Sequence, residues 1–220
     1  MSTYINKVLL LIGGTQLISE AAVRLFLEQG VGQVRVFSGD EEGMTALRDR
    51  LQAVDAIAAA RVIYYIGDVN APAYLAEAMA GADFVLYAPT IPFSQQCDEH
   101  PAEACTTLLA PVNTVMQAAI LQNVQKLAVL GPATETLIAG STRNLLSALL
   151  EKVIIAQARH QGQDSSTAIC CVRAYNDLDL ETWDLKPVDL TFTEGQNGDL
   201  IIKEGSECCR ISCENFELKR

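Results

Sequence analysis

Short apolar runs alternate along the chain with stretches in which apolar residues return every three or four positions. The runs read as buried strands at Lys7–Ile12, Gln33–Ser38, Arg61–Ile66, Asp83–Tyr87, Lys126–Leu130 and Thr167–Arg173. The helical spacing between them predicts helices over Ser19–Gln29, Glu41–Ala59, Ala71–Ala80, Ala102–Gln122 and Thr142–Gln161. Gly30, Gly81 and Asn123 stand where helices should stop, as residues that tolerate a left-handed cap. Pro111 falls inside the fourth helical stretch and is expected to kink or break it. Strand and helix in strict alternation, with short connections, predict an α/β fold: a doubly wound parallel sheet with helices on both faces.

After Arg173 the pattern changes. Asn176–Pro187 is polar and acidic and reads as a solvated loop, since no glycine offers the turn a calcium loop requires. Short strand-like runs follow at Asp189–Phe192, Asp199–Lys203 and Cys209–Ser212. At 220 residues the expectation is one domain over 1–220, with its core at 5–174 and irregular strands in 175–220.

Charge narrows the partners. Sixteen basic and 27 acidic side chains leave a net charge of −11, a field that repels nucleic acid and anionic membrane surfaces. No apolar run reaches the ~18 residues that span a bilayer. The N-terminal residues enter the first strand at once, so no signal peptide is expected and the cytoplasm is the expected location. The seven cysteines form an odd set and are expected as reduced thiols. Cys208, Cys209 and Cys213 match no zinc spacing and the histidines are His100 and His160 alone, so no metal is expected.

One connection carries chemistry. The run Val8–Ile12 passes straight into Gly13-Gly-Thr-Gln-Leu-Ile-Ser-Glu20, a tight strand-to-helix turn. Such turns hold a pyrophosphate on backbone N–H groups at the positive end of a helix. Two glycines of a Gly-x-x-Gly-x-x-Gly spacing are replaced, by Gln16 and Ser19. A glutamine side chain at 16 obstructs close approach of phosphate, and Glu20 adds a carboxylate that competes for the same helix end.

Further along, Leu27–Ser38 with Asp40-Glu41, Ile66-Gly-Asp-Val69, Met79–Val85, Cys97…Pro101-x-Glu-Ala104, Gln117-Ala-Ala and Val124-Gln-Lys126 extend a pattern begun at Lys7–Glu20. Together these stretches resemble bacterial nucleotide-sugar 4,6-dehydratases, members of the extended short-chain dehydrogenase/reductase superfamily. Ile169–Arg173 and Arg210–Phe216 are similar to the last strands of small atypical members. The resemblance implies a Rossmann-like fold that binds NAD or NADP across the carboxyl ends of its strands. By position, Gly13, Gly14, Thr15, Gln16, Leu17 and Ile18 would line the pyrophosphate. Ser38, Gly39 and Asp40 would face the adenosine ribose, Asp68 and Val69 the adenine, and Ala88 and Pro89 the path toward the nicotinamide. Asp40 sits about twenty positions past the turn, where a carboxylate reaches a ribose hydroxyl; as a helix N-cap before Glu41 it has an equally good reason to be there. The family often carries arginine where this chain has Gly39, and losing that cation favours NAD over NADP.

The family's proton-transfer groups are missing. It uses a hydroxyl after the fifth strand beside an Asp-Lys pair, whereas this chain reads Leu130-Gly-Pro-Ala-Thr134. The superfamily's Tyr-x-x-x-Lys pair is also absent: no tyrosine lies between Tyr87 and Tyr175, and position 148, four before Lys152, is alanine. No catalytic residue is assigned. Three readings follow. The chain is a degenerate member that persists as a binding or regulatory module with weakened dinucleotide affinity. Alternatively it is an active atypical reductase, for which Thr90, Ser94 and Gln95 are the polar candidates. As a third reading it is a ligand-free interaction protein, a homodimer through the fourth and fifth helices. Ala118, Ala119, Leu121, Leu145, Leu146, Leu149, Leu150 and Ile154 would supply that interface or pack on the protein's own sheet.

Overall fold

The computed structural model describes residues 5–13, 17–28, 30–88, 99–132, 167–176, 190–194, 200–204 and 207–214. Its elements run β1 (Val8–Ile12), α1 (Leu17–Glu28), β2 (Gln33–Ser38), α2 (Glu41–Val54), α3 (Ala56–Ala59), β3 (Val62–Ile66), α4 (Pro72–Met79), β4 (Phe84–Tyr87), α5 (Pro101–Leu121), β5 (Lys126–Pro132) and β6 (Ala168–Asn176). Three more strands follow: β7 (Leu190–Glu194), β8 (Leu200–Glu204) and β9 (Glu207–Glu214).

The strands form one sheet in the order β3-β2-β1-β4-β5-β6-β9-β8-β7. From β3 to β6 every pairing is parallel, so the expected doubly wound core is present. The last three strands add to the far side of β6 in antiparallel pairs. Antiparallel neighbours need only short reversals, whereas a parallel addition needs a crossover of a dozen or more residues. β7, β8 and β9 pair consecutively in this way, and the last of them, β9, is the strand that joins β6. At the opposite end, the outer edge of β3 pairs with no strand among the described residues.

Alternation along each strand splits the core in two. Leu9, Leu11, Val34 and Val36 pack with Val23 and Leu27 of α1 and with Met44, Leu47 and Leu51 of α2. Leu10, Ile12, Val85 and Leu127 face the other way, onto Leu75 and Met79 of α4 and Leu108, Val112, Val115 and Met116 of α5. Period-two strands buried on both faces require such a helical layer on each side.

Helix ends follow local chemistry. Gly30, Gly81 and Asn123 take positive φ of 81°, 69° and 53°, as their placement after helices predicts. Neither α1 nor α4 has a base in its last turn, and in each case an arginine from elsewhere in the chain bonds carbonyls there, Arg61 from just before β3 and Arg35 from β2. Arg61 donates to Leu27 O and Val31 O, and Arg35 to Ala78 O and Ala80 O.

Several expectations need correction. The single helix expected over Glu41–Ala59 is two, because Asp55 is extended (φ −150°, ψ 96°). Its carboxylate accepts from the Ile57 and Ala58 amides at 2.9 Å each and so starts α3 afresh. α5 runs unbroken through Pro111, held by the row of buried residues it presents to the sheet. Its stretch Ala102–Leu121 is long and apolar enough to span a bilayer by length and composition, contrary to the expectation that no such segment exists. Ala104, Leu108, Val112, Val115, Met116 and Ala119 of that stretch are nevertheless part of the sheet's core. Of the residues proposed for a dimer, Ala118 and Ala119 are buried in this core, whereas Leu121 is 78 % exposed. The helix expected over Thr142–Gln161, with the dimer candidates on it, lies outside the described residues, as does most of the acidic loop.

Candidate functional site

β1 ends at Gly13, whose φ is +82°. A Cβ there would lie 2.3 Å from the Ala88 carbonyl oxygen, so both backbone angle and space demand glycine. The Gly13 amide donates to Phe37 O (2.9 Å) and the Ala88 amide to Ile12 O (3.0 Å), fastening the ends of β1, β2 and β4 to one another. β3 is joined to them by Gly67 N donating to Ser38 O (3.1 Å). A Cβ at Gly67 would press to 2.9 Å from the Phe37 ring, so this position too is kept small by its neighbour.

These strand ends surround a cavity of about 460 Å³. Six residues singled out from the sequence line it: Gly13, Ser38, Gly39, Asp68, Val69 and Ala88. Ile12, Phe37, Ile66, Gly67 and Tyr87 complete the wall and were not foreseen. Their signal was available: each sits within one or two positions of a residue that was named, at the carboxyl end of a strand. The cavity lies over the carboxyl ends of β3, β2, β1 and β4, and the order of the strands reverses between β1 and β4. That reversal of strand order is the place where open α/β sheets bind ligands.

Asp40 is not in the cavity wall. Its Oδ1 accepts from the Gly43 amide at 2.9 Å, capping α2, and its own amide donates to Ser38 Oγ at 3.1 Å. Leu17 and Ile18 open α1. Gly14, Thr15, Gln16 and Pro89 lie outside the described residues, as do the reductase candidates Thr90, Ser94 and Gln95.

Among the described residues of the wall, Asp68 and Tyr87 are ionisable and none is lysine or arginine. Asp68 Oδ1 accepts from the Asn70 amide (2.9 Å) and from Asn70 Nδ2 (3.1 Å), a tight Asx turn that leads into α4. Tyr87 is 4 % exposed, and burial pushes its phenol far above the ordinary value, so the hydroxyl stays protonated. Apolar walls, one carboxylate and strand-end amides suit a nucleoside, whose base is flat and whose exocyclic amine and hydroxyls donate hydrogen bonds.

Glu20 corrects an expectation. Read from the sequence as a competitor for the helix end, it is 3 % exposed and committed elsewhere. Oε1 accepts from Arg24 Nη2 at 2.5 Å and Oε2 from Arg50 Nε at 2.6 Å. The carboxylate is neutralised by two guanidinium groups and does not offset the positive end of α1. Among the described residues no group of three or more metal-binding side chains is present.

Comparison with known proteins agrees with this architecture. A family model described as polysaccharide biosynthesis protein matches residues 9–179. UDP-glucose 4-epimerase of Rickettsia bellii (strain RML369-C) is 29 % identical over 207 residues, covering 92 % of this chain and 58 % of the relative. Among solved structures, Pen from Bacillus thuringiensis superposes with a TM-score of 0.69 at 25 % identity, over 79 % of this chain and 51 % of that one. WbmF of Bordetella bronchiseptica, solved with NAD+ and UDP, has the same fold, with a TM-score of 0.58 at 16 % identity over 80 % of this chain and 51 % of that one. The chain spans about half the length of these proteins. With more than half of its residues inside the family match, this chain belongs to the polysaccharide biosynthesis protein family.

Proposed function

We propose that this chain binds NAD by its adenosine half in the switch-point cavity, carries out no sugar dehydration, and serves as a binding or regulatory module. The observation that carries the reading is the cavity itself, which gathers Gly13, Ser38, Gly39, Asp68, Val69 and Ala88 beside the end of β1. NAD is bound by WbmF in the structure that resembles this one. When bound, NAD supplies hydride-transfer chemistry. The residues of this chain hold the nucleoside: Asp68 accepts from donors on the base, and the apolar wall of Ile12, Phe37 and Val69 excludes water from it.

Loss of chemistry rests on residue types. At the positions after Leu130 where the resembling enzymes carry a hydroxyl beside an acid and a lysine, this chain has Gly131, Pro132 and Ala133, none of which can move a proton. Tyr87 does not replace them, because its neutral phenol has isoleucine, not lysine, four residues on. Preference for NAD is supported by a wall that, among the described residues, has no cation for a 2′-phosphate and has a carboxylate, Asp68, that repels one.

Fluorescence titration with NADH and NADPH tests this. NADH is expected to bind at least about tenfold more tightly, and Asp68→Ala to remove most of that affinity. Absence of NADH binding at millimolar concentration would overturn the reading. Turnover of a UDP-sugar by the purified protein would refute the loss of chemistry.

A further inference from the structure

Among the described residues the cavity wall holds no cation, so on the binding reading a dinucleotide's diphosphate relies on the amides at the start of α1. How α1 is held therefore decides how well that charge is met. Glu20, in the first turn of α1, spans to Arg50 near the far end of α2, thirty positions on. Arg24 closes on the same carboxylate from one turn later in α1. The Glu20 side chain is 4 % exposed, so the bond to Arg50 forms in a low-dielectric setting where a small shift in geometry is costly. α2 is itself fixed at its other end by the Asp40 cap, next to Ser38 and Gly39 of the wall. One buried carboxylate thus couples α1, the helix that follows Gly13 of the wall, to α2, the helix that begins next to Ser38 and Gly39.

On the binding reading above, we infer that Glu20 and Arg50 are positioning residues: their ion pair sets the start of α1 against α2 and so tunes affinity for the diphosphate of a bound nucleotide. The pair touches no ligand. It acts through the helix, and two guanidinium groups around one carboxylate also leave a net positive charge beneath that helix end.

The test compares a ligand that carries a diphosphate with one that does not. ADP and adenosine are titrated calorimetrically into wild type, Arg50→Met, Arg50→Lys and Glu20→Gln, with circular dichroism confirming that each variant is folded at the working temperature. Arg50 is partly exposed, so its variants are the ones that keep the test open if Glu20→Gln does not fold. Arg50→Met is expected to weaken ADP by about tenfold or more while adenosine stays within about twofold, and Arg50→Lys to recover most of the loss. A purely structural pair would lower the melting temperature and weaken both ligands equally. That outcome, or unchanged ADP affinity in folded Arg50→Met, overturns the inference. A wild type that binds neither ligand overturns the binding reading, and this inference with it.

Discussion

Gly13 answers three demands with one missing atom. It ends β1, it takes a backbone angle that side chains resist, and it lets the Ala88 carbonyl approach within the radius of a methyl group. Gly13→Ala is expected to destabilise the protein by about 2 kcal/mol or more, since left-handed backbone alone costs ~1–2 kcal/mol and the contact adds to it. Urea denaturation of the two proteins checks this; a loss below about 0.5 kcal/mol would show that the strand ends relax easily. The turn glycine was legible in the sequence because a strand that runs straight into a helix needs it. Phe37 and Gly67 were not legible as partners, since what joins them is the register between β2 and β3 and not proximity along the chain. The same contrast holds at Glu20. Arg24, one helical turn away, was within reach of sequence reasoning, whereas Arg50 becomes a neighbour only when α1 and α2 pack.

Elements are tied together at the opposite end of the sheet by Asp83. Its carboxylate accepts from Lys7 Nζ (2.8 Å), the Val8 amide (2.9 Å) and Gln125 Nε2 (2.9 Å), so the residues before β4 also hold the starts of β1 and β5. Burial works to raise this carboxyl, but the bonds from Lys7 and Val8 and the lysine charge outweigh it, and the net shift is downward. A folded value below the unfolded one means that the unfolded chain takes up the proton first. The contribution is full above the ordinary value of 3.8 and drains away as pH falls through the folded value. Asp83→Asn should therefore be less stable than wild type at pH 7, with the gap narrowing as the pH is taken below about 4. A gap of constant size across that range would show that charge plays no part. At this scale the pattern of apolar runs was enough to place the six parallel strands, because short apolar runs set between stretches of helical spacing and turn residues read as strands. The break between α2 and α3 escaped, since Asp55 in a run of alanines has good helix formers on one side and a carboxylate that prefers two local amides on the other. The extent of β9 escaped for a different reason: its length is set by the strands on either side of it.

Across the whole molecule, the parallel order and the position of its reversal determine where a ligand can sit, and the residues at that reversal came from four separate strands. The family resemblance reached six of them by position, and missed Ile12, Phe37, Ile66, Gly67 and Tyr87, which adjoin them at the same strand ends. One further feature acts at this scale. The outermost strand, Val62–Ile66, has five residues without a charge, a proline or a bulge, and Ile63 and Ile66 are 40 % and 56 % exposed. Sheets usually protect such a margin with lysine or proline, since another chain can continue the ladder from it. Mutual repulsion between copies, each carrying −11, is expected to supply that protection from a distance. It should vanish near the isoelectric point of about 4.6, so light scattering is expected to rise there and to fall again when Ile63→Lys restores a guard on the strand itself. Colloidal stability in this protein is thus delegated to its acidic surface, and acid is the condition under which its bare margin becomes adhesive.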